Sequence, residues 1–485
     1  MMSLRIPQKG HSERMRMLAA SRFNNPESES TNMGRRLDNG RRDMEHLETV
    51  ALFMVTGAPG DVVASAFEKT EAGLGIVLAK NDNASDKDKE YARYFSEYFE
   101  NPSDEVFLGY LPSLISRSSQ NLKHRVNKLG NLSVMIRSDL SASIESYFPD
   151  RGQDLKKFWV RTGSTEVYGV KQTLHKILDI CQSKPKIAQN SASHRLLEEL
   201  ILAASALKDS KFFPICRLSL SSRRPLAKNG EELLSKFWRN LDKPRQYLHI
   251  ERLIEFINED KRRKFTIRWV PKEISVPKHI QELRKIDIEK VQTVTIELGK
   301  RHTKITKTEA EVEEMFASRS LNWEKDRAEF CETKTITPKL HAEIQIILAL
   351  GKPMARSSSN VVKPQRAIGC SKSSCLQCWL YMKKVNELLN EEWMTAGDHS
   401  WPYETAALTG CHPTLDPDGL CDKYIMETVQ SYAIRQVKQL YGLQPVQPFH
   451  KRKSDEYATA SGESDSDSRS ESGAKPQNLG KSIHK

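Results

Sequence analysis

One feature constrains this fold more than any other: His341-Ala342-Glu343, followed 34 residues later by Cys375-Leu376-Gln377-Cys378. For these side chains to act together, two chain segments must begin side by side. Pro338 precedes the first, and Leu340 to Leu350 reads as a helix ended by Gly351 and Pro353. His341 and Glu343 therefore sit in its first turn. Apolar residues at 344, 346, 347, 348 and 350 cover nearly the whole surface of that helix, so it must be buried, as a helix packed on a sheet is. Arg366 to Cys370 reads as a short strand. Cys375 then opens a second helix running to about Leu389, with the two sulfurs at i and i+3 on one face. Two helix starts separated by one strand can bring the imidazole and the thiols together.

The whole chain sets wider bounds. Its 485 residues are enough for two or three domains, and a hydrophobic content of 38% leaves room for poorly structured ends. The formal net charge of +12 suits nucleic acid or another anionic partner, and equally a protein with basic loops. Eight cysteines, three of them between Cys370 and Cys378, do not make a disulfide framework. They point to metal or redox chemistry in a reducing compartment, so an intracellular location, cytoplasmic or nuclear, is expected. The first residues carry no apolar core of signal-peptide length. The run Val50 to Val55 falls far short of the roughly 20 residues of a membrane span, and no membrane association is expected.

Taken in order, residues 1–45 are rich in Arg and Ser and read as a disordered basic arm. Residues 46–262 read as a separate α-helical domain of unassigned role. Within it, Asp61 is expected to cap a helix beginning at Val62, and Tyr91, Tyr94, Phe95, Tyr98 and Phe99 form an aromatic helical face. Gly57-Ala58-Pro59-Gly60 lacks the Lys-Ser/Thr that a phosphate loop needs. The period changes near 265. Phe265 to Val270 alternates like a strand, and Val291 to Leu298 is β-branched and strand-like. Thr308 and Glu311 have capping-box spacing before an acidic helix. Residues 265–442 read as one domain with a helix from Lys423 to Tyr441, and 443–485 as a disordered Ser/Asp/Lys-rich tail. The fold class is thus α+β overall.

Catalytic zinc takes three protein ligands and keeps a fourth position for water. His341, Cys375 and Cys378 can be those ligands, and Glu343 is left to move protons. Cys370 is a candidate fourth ligand, and with it the site would be closed and structural. After the second helix, His399, Trp401 and Tyr403 can line a pocket, the two aromatics by stacking on a base. A packed loop is the plainer reading of that stretch.

The pair of motifs resembles the zinc-dependent nucleotide and nucleic-acid deaminase superfamily. More narrowly, the run from Ile368 to Cys378 resembles the OTT-like deaminase family, which is common in fungi. The resemblance spans about 265 or 290 to 440. It implies Zn2+ held by His341, Cys375 and Cys378, with Glu343 as proton shuttle. It implies a cytidine-deaminase-like α/β/α layered domain with a mixed central sheet, following the helical half. It also implies hydrolytic deamination of a cytosine- or adenine-type base in a nucleotide, RNA or DNA. A non-catalytic interaction or nucleic-acid-binding protein that keeps the fold and a structural zinc is the alternative. Two departures stand out. Ser374 replaces the usual proline before the first cysteine, and no obvious asparagine lies upstream of His341 to hold a base or ribose.

Overall fold

The sheet that carries the site begins far upstream of it. The computed structural model describes residues 5–21, 23, 38–56, 58, 60–70, 73–100, 116–118, 120–132, 170–182, 191–210, 213, 217, 227–258, 264–275, 281–283, 293–298, 301–317, 333–353, 364–395, 397 and 401–441. Its first elements are α1 (Arg5–Ala20), α2 (Asp38–Met54), β1 (Val63–Thr70), β2 (Gly73–Lys80) and α3 (Asp86–Glu100). A helical stretch at 120–132 follows, then α4 (Val170–Gln182), α5 (Ser191–Asp209), α6 (Ala227–Arg245) and α7 (Ile250–Asn258). Next come β3 (Lys264–Trp269), β4 (Gln281–Leu283), β5 (Thr293–Leu298), β6 (Arg301–Thr306), α8 (Glu309–Ala317) and β7 (Lys334–Ile336). The last group is α9 (Ala342–Leu350), β8 (Gln365–Cys370), α10 (Leu376–Leu388), β9 (Glu392–Thr395) and α11 (Leu420–Leu440).

Five strands form one mixed sheet in the order β3-β2-β1-β8-β9. β1 runs antiparallel to both β2 and β8, whereas β2–β3 and β8–β9 are parallel pairs. Side chains alternate between the faces of a strand, and here the alternation assigns the helices to layers. Ala64 and Ala66 of β1 and Ile368 of β8 join the core built with Ile344, Ile346 and Ile347 of α9 and Leu376 and Leu380 of α10. Ser65 points the other way, and its hydroxyl donates to the Leu47 carbonyl of α2 at 2.7 Å. Ala367 packs with Met44 and Leu47 of α2 on that same far side. Helices therefore cover both faces, as the α/β/α expectation requires, and the chain is α+β overall. α2 lies so close to β8 that a Cβ at Gly369 would fall 2.1 Å from the Leu47 carbonyl carbon. Only glycine fits there.

Two expectations change. The helix expected from Val62 is instead the β1–β2 hairpin, eight residues paired with eight from Val63↔Lys80 to Thr70↔Gly73. The hairpin is rich in small residues and buried on both faces, which blurs the alternation that marks a strand. Asp61 starts no helix. Its Oδ2 accepts the Thr56 amide at 2.7 Å, and Oδ1 pairs with Lys80 at 3.2 Å. The border expected between 262 and 265 is thus crossed by the sheet, which takes β1 and β2 from the stretch read as a separate helical domain.

The basic arm changes too. Residues 5–20 of it form α1, whose buried residues Gln8, His11, Ser12, Met15, Arg16, Leu18 and Ala19 follow helical spacing. More than half of that stripe is polar, so a hydrophobic pattern alone does not reveal it. Residues 24–37 of the arm, Lys261-Arg262-Arg263 and the tail 443–485 lie outside the described residues.

Elsewhere the local signals hold. The aromatic stretch near 91–99 is on α3, and the alternating run near 265 is β3. The Thr308–Glu311 box is closed in both directions: the Thr308 amide and hydroxyl donate to Glu311 Oε2 at 2.7 and 2.9 Å, and the Glu311 amide donates back at 3.3 Å.

Candidate functional site

His341 and Cys375 occupy matching positions. Each is the residue just before a helix, with extended backbone, on α9 and α10 respectively. His341 Nδ1 lies 3.2 Å from Cys375 Sγ and 3.3 Å from Cys378 Sγ, and the two sulfurs are 3.5 Å apart. The Cys378 amide donates to Cys375 Sγ at 3.5 Å, so Cys375 caps the helix that carries its partner. All three residues are buried.

The donor set fits a metal ion. A tetrahedral ion with bonds of ~2.3 Å to sulfur and ~2.0–2.1 Å to nitrogen sets ligand–ligand edges of roughly 3.5–3.8 Å. The three edges here are within a few tenths of an ångström of that. Among the described residues, this is the group of His, Cys, Asp and Glu side chains able to hold a metal, with ligand atoms all within 4.8 Å of one another. Zinc suits one imidazole and two thiolates. Cys370 does not join the group. It ends β8 on the face of Ile368, half-buried, with Sγ 4.0 Å from the Ile368 carbonyl.

Charge is uneven in the cluster. Burial works against ionising Cys375, but the Cys378 thiol and the His341 imidazole outweigh it and hold Cys375 well below the ordinary thiol range. Burial also opposes a charged His341, yet the Cys375 thiolate raises it to about 9. Cys378 is pushed well up, first by burial and then by Cys375. At neutral pH a Cys375 thiolate thus faces a protonated His341 and a neutral Cys378 thiol, and a cation bound among the three would displace the His341 and Cys378 protons.

Glu343 is in the first turn of α9, 3% exposed. Burial pushes its carboxyl up, while His341 beside it, its own backbone amide and the Ser374 hydroxyl pull it down. Ser374, at the position of the expected proline, uses the amide that proline lacks: its N–H donates to the Gly397 carbonyl at 3.1 Å, and its hydroxyl lies 3.2 Å from that of Thr395. The turn before α10 is thereby tied to the end of β9.

The later loop closes one side. The Leu376 amide at the start of α10 donates to the Trp401 carbonyl at 3.2 Å. The Tyr403 ring stands edge-on to His341 with centroids 6.2 Å apart, and both Trp401 and Tyr403 remain well exposed. His399 lies outside the described residues.

Sequence reasoning missed Asn81. It follows β2, some 260 residues before the motif, and its Oδ1 accepts the Ala342 amide at 2.9 Å. It therefore caps α9 from another part of the chain, beside His341. Gln345 secures the same junction, donating to the Lys80 and Leu340 carbonyls at 2.7 Å each. The one local signal was an asparagine directly after a strand, too common to single out.

A mixed sheet under two buried helix starts, one carrying His-x-Glu and the other Cys-x-x-Cys, defines a deaminase-like domain. The match to a known family agrees: residues 340–415 fit the model of the OTT_1508-like deaminase family. No curated protein and no solved structure matches the chain. Among the described residues, no helix is long and apolar enough to cross a membrane.

Proposed function

We propose that this protein is a zinc-dependent hydrolytic deaminase acting on a nucleobase of the cytosine or adenine type, in a nucleotide or a nucleic acid. The observation that carries the reading is the convergence of His341, Cys375 and Cys378 on one point, with Glu343 in the first turn of the helix that His341 opens. Zinc, when bound, would acidify a water molecule at its fourth position. Glu343 is the chain's proton carrier. It takes a proton from the attacking water, passes it to the ring nitrogen, and assists departure of the amino group as ammonia. The net change is exchange of C–NH2 for C=O with water consumed. Burial suits Glu343 to this work, because a carboxylate whose pKa is raised is a stronger base and takes a proton from water more readily than an exposed one would.

Tyr403 stands edge-on to His341, and its exposed ring and that of Trp401 are the faces on which we propose a base stacks. Asn81 turns one amide oxygen to the α9 start, and its Nδ2 can donate to a ligand at the same junction.

A second reading keeps the metal and drops the chemistry. Cys370 ends β8 on the site face, and if it swung in as a fourth ligand the water position would be lost. Cys370→Ser separates the two. The metal should stay bound at one equivalent with release of ammonia intact in the open site, whereas a closed site would bind metal far more weakly. A screen for ammonia release over bases, nucleosides and oligonucleotides, with Glu343→Ala as control, tests the activity itself. Zinc-loaded protein that releases ammonia from none of them ends the enzyme reading.

A further inference from the structure

Four polar attachments converge on residues 404–408, the stretch that follows Tyr403. Gln8 of α1 donates to the Ala406 carbonyl at 3.1 Å and accepts the Leu408 amide at 2.6 Å. Gln377, between the two ligand cysteines, donates to the Ala407 carbonyl at 2.5 Å. Arg16 of α1, almost wholly buried, pairs with Glu404 at 3.5 Å. On the other side, the Lys339 amide donates to Thr405 and the Ala407 amide to Lys339, at 2.8 and 2.9 Å, two residues before His341.

His11 completes the arrangement. It is fully buried, with Nε2 2.9 Å from Gln377 Oε1. A carbonyl can only accept, so Ala407 fixes the Gln377 amide with its NH2 outward and its oxygen toward His11. That oxygen in turn requires the His11 proton on Nε2. The relay His11–Gln377–Ala407 therefore has one direction. Burial also lowers the His11 value to about 4, so the ring stays neutral and the relay stays intact at ordinary pH.

We infer that α1 is a positioning strut for the candidate site. Through Gln8 and the His11–Gln377 relay it fixes the 403–408 segment, and with it Tyr403, against the metal-ligating residues. His11, Gln8 and Gln377 touch no ligand position, so they are positioning residues. The N-terminal helix is then a working part of a site that the two motifs alone do not complete. This inference rests on the metal-site reading given above.

The test uses the full chain loaded with cobalt(II), whose visible bands report its coordination, and azide as a probe of the fourth position. Gln8→Ala and His11→Leu each break one attachment, and His11→Gln keeps a side-chain N–H at the position of His11 Nε2, toward Gln377. Hydrogen exchange at the Ala407 and Leu408 amides reads the segment directly. Both breaking variants should still take up one cobalt and keep wild-type helix content. Exchange at 407–408 should rise about tenfold and azide affinity should change about threefold or more, with His11→Gln restoring both toward wild type. Faster exchange with unchanged azide affinity would make α1 a merely structural support and overturn the inference. Unchanged exchange would overturn it as well. Should the wild-type chain bind no cobalt, the metal reading fails and the inference falls with it; cobalt bound with variants indistinguishable from wild type removes the inference alone.

Discussion

Two buried polar clusters flank Asn81, and they differ in one respect that matters. The first is ionic. Lys80 pairs with Asp61 and Asp88 at 3.2 and 3.1 Å, and Arg117 reaches Asp88 at 2.6 Å and the Met54 carbonyl at 2.9 Å. Ser85 gives Asp88 its amide and hydroxyl. Two carboxylates meet two cations, and the cluster needs nothing from outside. The second cluster is His341, Cys375 and Cys378. Among the described residues, its members act on one another and feel Cys370 and the buried Glu343, and it holds side-chain atoms where a cation fits. A buried group that satisfies its neighbours supports the fold, and one that awaits a partner marks a site.

Every test of this contrast changes one cluster and reads both. The largest effect belongs to Glu343. Glu343→Gln should lower turnover by about 10²–10⁴-fold with metal content unchanged, since only proton transfer is removed. Equal loss of metal would move Glu343 into the ligand set. Cys375→Ser comes next. It should weaken zinc binding by more than about a hundredfold, read by metal analysis after dialysis against a chelator, while apo-protein stability changes little. The ionic cluster should answer in the opposite sense. Asp88→Ala leaves the Arg117 guanidinium buried without its carboxylate, and unfolding free energy should fall by about 3 kcal/mol with metal affinity retained. If Asp88→Ala also strips the metal, the two clusters are one unit and the contrast fails.

The short-range part of this molecule was legible in its sequence. The helix starts at His341 and Cys375, the strand between them and the capping box at Thr308 each depend on residues fewer than about a dozen apart. Spacing and cap chemistry determine them. What stayed hidden is long-range. β1 pairs with β8 across about 300 residues and β2 with β3 across about 190, and nothing local says which strand Ala64 will face. Asn81 acquires its role only when β2 ends beside α9. Gln8 and His11 look like surface residues of a basic arm until Gln8 meets the Ala406 carbonyl and Leu408 amide, and His11 the Gln377 side chain. Ser374 shows the limit from the other side: its departure from the expected proline was visible, but its use, an amide given to Gly397, was not.

Acid provides the smallest and most selective test. Burial alone would push Asp88 up, but the Ser85 hydroxyl and amide, then Arg117 and Lys80, outweigh it and hold Asp88 at about 2 against an ordinary value of 3.8. The folded value is the lower one, so the unfolded chain binds the extra proton between the two. The stabilisation is therefore complete above about pH 4 and lost as pH falls toward 2. Discounted for its partial solvation, the shift corresponds to about 1–2 kcal/mol. Urea unfolding at a series of pH values should show wild type losing that increment across the window, and Asp88→Asn, already weaker at neutral pH, losing correspondingly less. Because the comparison is between two chains that share every other carboxylate, their difference isolates this one group. Parallel pH curves would mean that Asp88 is no better solvated by its partners than by water, and the ionic cluster would cease to be the self-sufficient half of the pair.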